Sequence, residues 1–425
     1  MTSIDRRKWM QGAAASAILA AAPNRVSAGS AAAADLSLAH DEAYWAGVAA
    51  QYDVTDDVVQ LENGNWGIMP RPVLAAYRRL VERVNRENSF YARRGMGGDL
   101  AAVRDRTARF LNVDAEEIVF TRNATEALKA LIGGYNRIRP GEAALYADLD
   151  YGSIQASLVA AMERRGAHTI KIALPEPATH DNVIAAYSEA LDRHPEIRLV
   201  LLTHISHRSG LMIPVREIAT IARTRGVDVI VDAAHSLGQV DFTIPDLEAD
   251  FVGLNLHKWI GAPLGVGAAY IRRGRVSAID PDIADENKDS GTIASRVHTG
   301  TVDFAALLTV PEALSFQERI GSRLRQARLR ALRDGWVEKV RENPRIQVLT
   351  PDDDRMHGGI TSFRLAGKAS VEDNVALAAR LLSEFGIFTV HRTGLASGAC
   401  VRVTPALFNS MDDVRTLAAA LNTIA

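Results

Sequence analysis

Short apolar runs alternate with amphipathic helical repeats through the middle of the chain. The repeats with helical spacing cover 152–165, 182–193 and 215–224. The apolar runs have the length and β-branched content of buried strands, and they cover 117–121, 143–147, 169–172, 199–203, 227–231, 251–255 and 267–271. Strands that alternate with helices imply right-handed crossovers. The pattern therefore predicts an α/β fold whose mainly parallel sheet is covered by helices on both faces.

The pattern changes near residue 310. A long helix predicted over 311–340 leads into a smaller region in which strands are fewer. The elements predicted there are strands near 360–364, 388–390 and 400–404 and helices over 371–385 and 411–424. We therefore expect an N-terminal arm over 29–57, a large domain over 58–310, and a connector helix with a small α+β domain over 311–425.

The first residues differ from the rest of the chain. Paired arginines, Arg6 and Arg7, stand before an uncharged alanine-rich run over 12–22, and small residues follow at 26–28. This layout is typical of a twin-arginine export signal, here over residues 1–28. It predicts a periplasmic protein that the twin-arginine machinery exports, with no stable membrane anchor because the apolar run is too short. The alternative is an alanine-rich tail that begins with basic residues by chance.

Composition narrows the class of partners. The chain has 425 residues, with 49 basic and 51 acidic side chains and a formal net charge of -2. Nucleic-acid binding usually needs a basic excess, so this balance gives no support for a nucleic-acid partner. The only cysteine, Cys400, cannot form an internal disulfide, and we interpret it as a small core residue rather than a nucleophile. No metal site is predicted.

Polar residues stand at three predicted strand ends, where ligands of α/β sheets collect. Asp232 follows an apolar strand in VDAAHSLG, and a buried carboxylate there needs a partner such as a protonated ring nitrogen or a helix to cap. Lys258 lies in NLHKWIG, where a desolvated amine can form an imine with a carbonyl; the alternative is an ordinary solvated lysine. Asn123 to Glu126 open a helix as a phosphate cradle, as a capping box, or as both.

The order and spacing of these groups resemble the class V aminotransferase family of pyridoxal-phosphate enzymes, which has the aspartate-aminotransferase (fold type I) scaffold. The segments VDAAHSLG and ADFVGLNLHKWIGAPLGVG carry the resemblance most specifically, and it extends over about residues 58–422. The isopenicillin N epimerase-like proteins are the most similar branch, and cysteine desulfurases are more distant. The resemblance implies pyridoxal 5'-phosphate as the cofactor, with Lys258 as the catalytic lysine that carries it as a Schiff base.

The same resemblance implies further roles in the site. Asp232 would keep the pyridine nitrogen protonated, and Arg402 would bind a substrate α-carboxylate as a bidentate pair. Thr301, in HTGTVDF, would reach the phosphate across the interface of a homodimer. The other residues expected at the cofactor are Ala124 and Thr125 at the phosphate, Tyr151 on the ring face, His207 and His235 near the ring's oxygen, and His257 beside the lysine.

Several activities are compatible with this set. We expect chemistry on the α-amino group of an amino acid or amino-acid residue, as epimerase, transaminase or lyase, through an external aldimine and a quinonoid. Export favours a second hypothesis, a periplasmic maturation enzyme that modifies an amino-acid residue of a peptide or siderophore. A cysteine desulfurase would need a nucleophilic cysteine on a loop before Arg402, and the stretch 392–399 contains none. A non-catalytic binding protein is the remaining alternative.

Overall fold

The computed structural model describes residues 35–287 and 291–425. The predicted export signal over 1–28 lies outside the described residues. Within the described ranges, no helix is both long and apolar enough to cross a membrane.

The described chain begins with helices and one short strand. These elements are α1 (Glu42–Ala49), β1 (Val59–Gln60), α2 (Arg71–Arg94) and α3 (Met96–Leu111). Helix α2 begins after Pro70 and has a second proline in its first turn. A proline costs little there, since the first amides of a helix have no partner within the helix.

A seven-stranded sheet forms the centre of the large domain. Its strands are β2 (Ile118–Thr121), β3 (Ala143–Ala147), β4 (His168–Ile172), β5 (Ile197–Thr203), β6 (Asp228–Asp232), β7 (Phe251–Asn255) and β8 (Gly267–Ile271). Their spatial order is β2-β8-β7-β6-β5-β3-β4. Strand β8 is antiparallel to both of its neighbours, whereas the five strands from β7 to β4 are mutually parallel. The predicted, mainly parallel sheet is therefore confirmed.

Helices cover both faces of this sheet. They are α4 (Ala124–Gly134), α5 (Gly152–Arg164), α6 (His180–Arg193) and α7 (Val215–Thr224). Leu128 and Leu158, from α4 and α5, belong to one apolar cluster, and Val183 and Ile218, from α6 and α7, belong to another. Strands β3 and β7 are buried at every position. Continuous apolar runs are typical of parallel strands covered on both sides, and this is why the runs were readable in the sequence.

The predicted single helix over 311–340 is wrong. The structure has two helices, α8 (Phe304–Ile320) and α9 (Ser322–Val340), separated by Gly321. Gly321 has φ +85°, a conformation that glycine adopts without a Cβ clash and that an α-helix cannot contain. The apolar pattern runs across the break, so periodicity alone did not reveal it.

The C-terminal part forms a small α+β domain. Its elements are β9 (Ile346–Val348), β10 (Thr361–Leu365), α10 (Val371–Phe385), β11 (Ile387–Phe388), β12 (Val390–Arg392), β13 (Cys400–Val403) and α11 (Met411–Ile424). Four of the strands form an antiparallel sheet in the order β12-β13-β10-β9. Strand β1 pairs in parallel with β11, and Leu61 packs in the apolar cluster of this domain. The segment around β1, assigned from the sequence to the large domain, thus contacts the small one.

Candidate active site

A cavity of about 610 Å³ opens at the carboxyl ends of the parallel strands. Thr203, Asp232 and Asn255, the last residues of β5, β6 and β7, contribute to its wall, and β13 of the small domain contributes Arg402. The residues predicted from the sequence that line it are Ala124, Thr125, Tyr151, His207, Asp232, His235, His257, Lys258 and Arg402. Thr301 does not line the cavity of this single chain, and it is exposed.

Asp232 is a buried carboxylate without an opposite charge beside it. One of its oxygens accepts a hydrogen bond of 2.9 Å from the amide of Ala234. Within the described part of the chain it forms no ion pair. Burial raises the pKa of Asp232, and the Ala234 amide and the charge of Lys258 only partly oppose this. A cation at this position would offset the cost of the buried charge.

Lys258 lies in the turn after β7, and its amine faces a histidine. Nζ of Lys258 is 2.9 Å from Nε2 of His235. Burial, followed by the charge of Arg402, lowers the pKa of Lys258 to about 8. Burial likewise lowers the pKa of His235 far below its usual range, so His235 is neutral. Its Nδ1 accepts a 3.4 Å hydrogen bond from the indole of Trp259, so Nε2 carries the ring proton and donates to the neutral amine of Lys258. A lysine with a pKa of about 8 has a larger neutral fraction near physiological pH than an ordinary lysine, and the neutral amine is a nucleophile and a base.

The turn that precedes α2 packs against the backbone of this lysine. The amide of Gly67 donates a 2.9 Å hydrogen bond to the carbonyl of His257. A Cβ on Gly67 would lie 1.9 Å from the carbonyl oxygen of Lys258, so only glycine fits. The ring of His257 is held in turn by a 2.9 Å contact between Nδ1 and the carbonyl of Val266. This turn, with the sequence NGNWG over 63–67, thus supports the position of the lysine.

Two aromatic rings border the cavity on the side of α5. The rings of Tyr151 and His207 meet edge to face, with centroids 5.0 Å apart. Burial lowers the pKa of His207 well below its usual range, so this ring is neutral as well. Tyr151 is 38% exposed, which leaves a ring face available to a flat ligand.

The start of α4 provides a polar cradle, with one change from the prediction. Asn123 caps the helix by accepting a 2.9 Å hydrogen bond from the amide of Glu126. The amide of Ala124 donates to the side chain of Asn255 at 2.8 Å and is therefore engaged within the protein. Thr125 forms no hydrogen bond through its amide or hydroxyl with any described residue. The free donors at this helix N-terminus thus come from Thr125, and an anion is favoured there.

Arg402, on β13, lines the cavity and is 1% exposed. Its Nη1 donates to the carbonyl of His207 at 2.7 Å, and its Nη2 pairs with Oε1 of Glu62 at 2.5 Å. Burial lowers the pKa of Arg402 to about 10, and Glu62 opposes this. Arg402 therefore remains a cation that one carboxylate already contacts.

Several residues of the site were not predicted from the sequence, among them Asn65, Arg208, Asn255, Arg392 and Thr393 in the cavity wall and Glu62, which pairs with Arg402. Asn255 had a readable signal, since it ends an apolar strand as Asp232 does. Arg392 ends the three-residue strand β12, and the others lie outside the named helices and strands, where no local pattern predicts their contacts. Cys400 is fully buried with its sulfur toward the carbonyl of Arg208, and burial raises its pKa to about 11, as suits a core residue.

The residues present fit pyridoxal 5'-phosphate. The buried carboxylate of Asp232 forms no ion pair with the described residues, so it can pair with a protonated ring nitrogen. The start of α4 offers the unpaired donors of Thr125 for the phosphate. Lys258 has the lowered pKa that attachment to an aldehyde requires, and Tyr151 has an exposed ring face. Among the described residues, no group of three or more metal-ligating side chains is placed to hold a metal ion.

Comparisons with known proteins show which proteins the chain is similar to. A family model described as aminotransferase class-V matches residues 68–417. The chain is 26% identical over 385 residues to the isopenicillin N epimerase of Streptomyces clavuligerus, covering 86% of this chain and 95% of that protein. It is 25% identical over 405 residues to the L-cysteine desulfhydrase of Arabidopsis thaliana, covering 86% and 87%.

A solved structure confirms the fold predicted from the sequence. A mutant of the lyase C-DES, with glycine covalently linked to its pyridoxal-phosphate cofactor, matches with a TM-score of 0.75 at 23% identity. The match covers 88% of this chain and 98% of that chain. With the family model matching over most of its length, the chain belongs to the aminotransferase class-V family and is a pyridoxal-phosphate-dependent enzyme.

Proposed function

We propose that this enzyme acts on the α-amino group of an amino acid or amino-acid residue, with chemistry at Cα similar to that of isopenicillin N epimerase. One observation carries the proposal: Lys258, a base, and Arg402, a carboxylate-binding cation, line the same cavity. An α-amino acid needs both, since its carboxylate must be bound while its Cα proton is moved. Bound pyridoxal phosphate would supply the electron sink that stabilises negative charge at Cα.

Individual residues of the cavity would bind the cofactor, orient the substrate and transfer the proton. Asp232 would hold the cofactor's ring nitrogen, and Thr125 its phosphate. The guanidinium of Arg402 would orient the substrate's carboxylate. Nζ of Lys258 would take the proton from Cα, because its lowered pKa makes the neutral amine available. His235, at 2.9 Å, would hold that amine in position and is itself neutral.

The relatives leave two outcomes for the substrate after the Cα proton is removed. Return of the proton to the other face of Cα gives epimerisation, whereas loss of a substituent at Cβ gives elimination. Both outcomes use the same base, so the residues of the cavity wall support the common first step. The similarity to an isopenicillin N epimerase over 95% of its length supports the first outcome, and that to an L-cysteine desulfhydrase supports the second.

The test uses cofactor-loaded enzyme and a panel of L- and D-amino acids in D2O, followed by NMR. Deuterium at Cα with both enantiomers recovered would establish epimerisation, whereas ammonia and a keto acid without the Cβ substituent would establish elimination. Lys258→Ala is the control, and it should show neither. If no amino acid in the panel, free or within a peptide, exchanges its Cα proton, the proposed function is wrong.

A further inference from the structure

The guanidinium of Arg402 is already occupied by the protein. Each of its terminal nitrogens has an acceptor, the carbonyl of His207 for Nη1 and the carboxylate of Glu62 for Nη2. The side chains of Arg402 and Glu62 are 1% and 6% exposed, so water does not screen the pair. A second carboxylate approaching Arg402 would meet the negative charge of Glu62 at short range.

Glu62 also contacts a second arginine, Arg392, which lines the cavity. Its Oε1, which contacts Arg402 at 2.5 Å, lies 3.4 Å from Nη2 of Arg392. The other oxygen, Oε2, is buried and accepts no hydrogen bond. Arg392 is 28% exposed at its side chain, lines the cavity, and forms no ion pair with any other described carboxylate. A small rotation of the Glu62 side chain would therefore exchange one arginine for the other without leaving its charge unpaired.

We propose that Glu62 is a specificity-determining residue that shields Arg402 and moves to Arg392 when a substrate carboxylate binds. The inference rests on the proposed function, in which Arg402 receives that carboxylate. Glu62 is a positioning residue in this account, because it acts through the two arginines.

The exchange has a consequence for the class of substrate. An amine without an α-carboxylate can bind while Glu62 stays paired with Arg402. The buried charge of Arg402 is then still neutralised, so the cavity accepts this amine. When an α-amino acid binds, its carboxylate must displace Glu62, which lowers its net affinity. The site should therefore bind primary amines with and without an α-carboxylate, and discriminate between them less than an unshielded arginine would.

The experiment compares two probes that differ only in the carboxylate, 2-aminoisobutyrate and isopropylamine. Dissociation constants are measured by calorimetry on cofactor-loaded protein, and the cofactor's absorbance is recorded to verify loading. Glu62→Gln removes the competing negative charge from Arg402. The preference for 2-aminoisobutyrate over isopropylamine should then rise about tenfold, as expected for a charge-assisted contact.

Two further variants make the result specific. Arg392→Gln removes the alternative partner of Glu62, so it should weaken binding of 2-aminoisobutyrate by more than about threefold and leave isopropylamine unchanged. Glu176→Gln is the matched control, because Glu176 pairs with the buried Arg364 at 2.6 Å on β10, outside the cavity wall. It should leave the preference unchanged.

The outcomes separate this inference from the proposed function. If 2-aminoisobutyrate binds but the preference in Glu62→Gln stays within about threefold of wild type, the shielding role is overturned and the proposed function stands. If Glu62→Gln does not fold, Arg392→Gln provides the test. Equal changes in the dissociation constants of both probes in Arg392→Gln would overturn the proposed movement of Glu62 between the two arginines. If neither probe binds any loaded variant, both the inference and the proposed function fail.

Discussion

At the residue scale, burial changes the acid–base character of the side chains around the cavity. It lowers the pKa values of Lys258, His207 and His235 and raises that of Asp232. The common cause is desolvation, which disfavours whichever form is charged. The lysine becomes more nucleophilic, while the aspartate becomes costly to ionise unless a cation joins it. Both shifts suit a cofactor that offers an aldehyde and a protonated ring nitrogen.

Replacing Asp232 by asparagine should weaken cofactor binding. The change keeps the shape and removes the charge that would pair with the ring nitrogen, and losing one member of a buried pair costs about 3–5 kcal/mol. Affinity for pyridoxal phosphate, titrated by absorbance, should fall by about two to four orders of magnitude. Asp228→Asn is the control, since Asp228 lies at the other end of β6 and pairs with Arg275. Unchanged affinity in Asp232→Asn would make this carboxylate merely structural.

Cofactor loading should depend on pH through Lys258. The neutral amine attacks the aldehyde, and its pKa is about 8 instead of 10.5. The neutral fraction therefore increases as the pH rises through 8, and the loading rate should increase with it and level off above that pH. Stopped-flow absorbance on the apoenzyme measures this rate, and borohydride followed by peptide mapping should locate the label on Lys258. An inflection near 10.5, or a label on another lysine, would contradict the assignment.

At the element scale, short irregular connections determine how the regular elements meet. Gly321 ends α8, and α9, which begins directly after it, packs Leu332 and Trp336 into the apolar cluster of the small domain. Strand β1 has two residues, yet its pairing with β11 brings Glu62 to Arg402. Such connections carry little periodicity, because two or three residues do not complete a repeat.

Gly321→Ala should destabilise the fold without changing the cavity. A Cβ at φ +85° costs about 1–2 kcal/mol, so the melting temperature should decrease while the cofactor's absorbance stays normal. Gly47→Ala is the matched control, because Gly47 lies exposed in α1 and alanine is the better helix former there by about 0.5–1 kcal/mol. Equal effects of the two substitutions would contradict the account of the helix break.

At the scale of the whole molecule, Thr301 is the one predicted site residue that does not line the cavity. Thr301 is exposed and outside the cavity, although the family resemblance places it at a phosphate. These observations are compatible if the phosphate belongs to another subunit. The homodimer therefore stays a prediction, and Thr301 is the residue on which to test it.

Mixed subunits provide that test. Thr301→Glu, which places a negative charge toward the phosphate, and Lys258→Ala should each be inactive alone. A hybrid dimer of the two should recover activity at one site, where the intact lysine meets the intact threonine of the partner. Sedimentation should show a dimer for the loaded enzyme. Activity that is never recovered, or sedimentation as a monomer only, would contradict the shared site.

Location is also a property of the whole molecule. We propose that the residues before Gly29 direct the loaded enzyme to the periplasm, since the twin-arginine route carries folded proteins. Changing Arg6 and Arg7 together to lysine should retain it in the cytoplasm, as cell fractionation with an activity assay would show. Retention should leave the activity itself unchanged. Export of the double variant at the normal level would contradict the proposal, and with it the main support for a periplasmic maturation enzyme.

The sequence by itself determined the architecture and nine of the residues that line the cavity. Strands β3, β7 and β8 were predicted with their observed bounds because strands buried on both faces need continuous apolar runs. Asp232 and Asn123 were recognisable because polar residues at strand ends and helix starts have a local cause. Strands β1 and β9 were missed, since two or three residues are too few to show a pattern.

Only the tertiary structure decided which side chains meet across the domains. Glu62 and Arg402 are 340 residues apart in the chain, and they form an ion pair because β1 pairs with the small domain. The amide of Ala124 is likewise engaged by Asn255, which is 131 residues away. No local repeat encodes such contacts, because they depend on how separate elements pack together. For the same reason, the sequence predicted that Arg402 would bind a carboxylate, and the structure revealed that one from the protein itself already lies there.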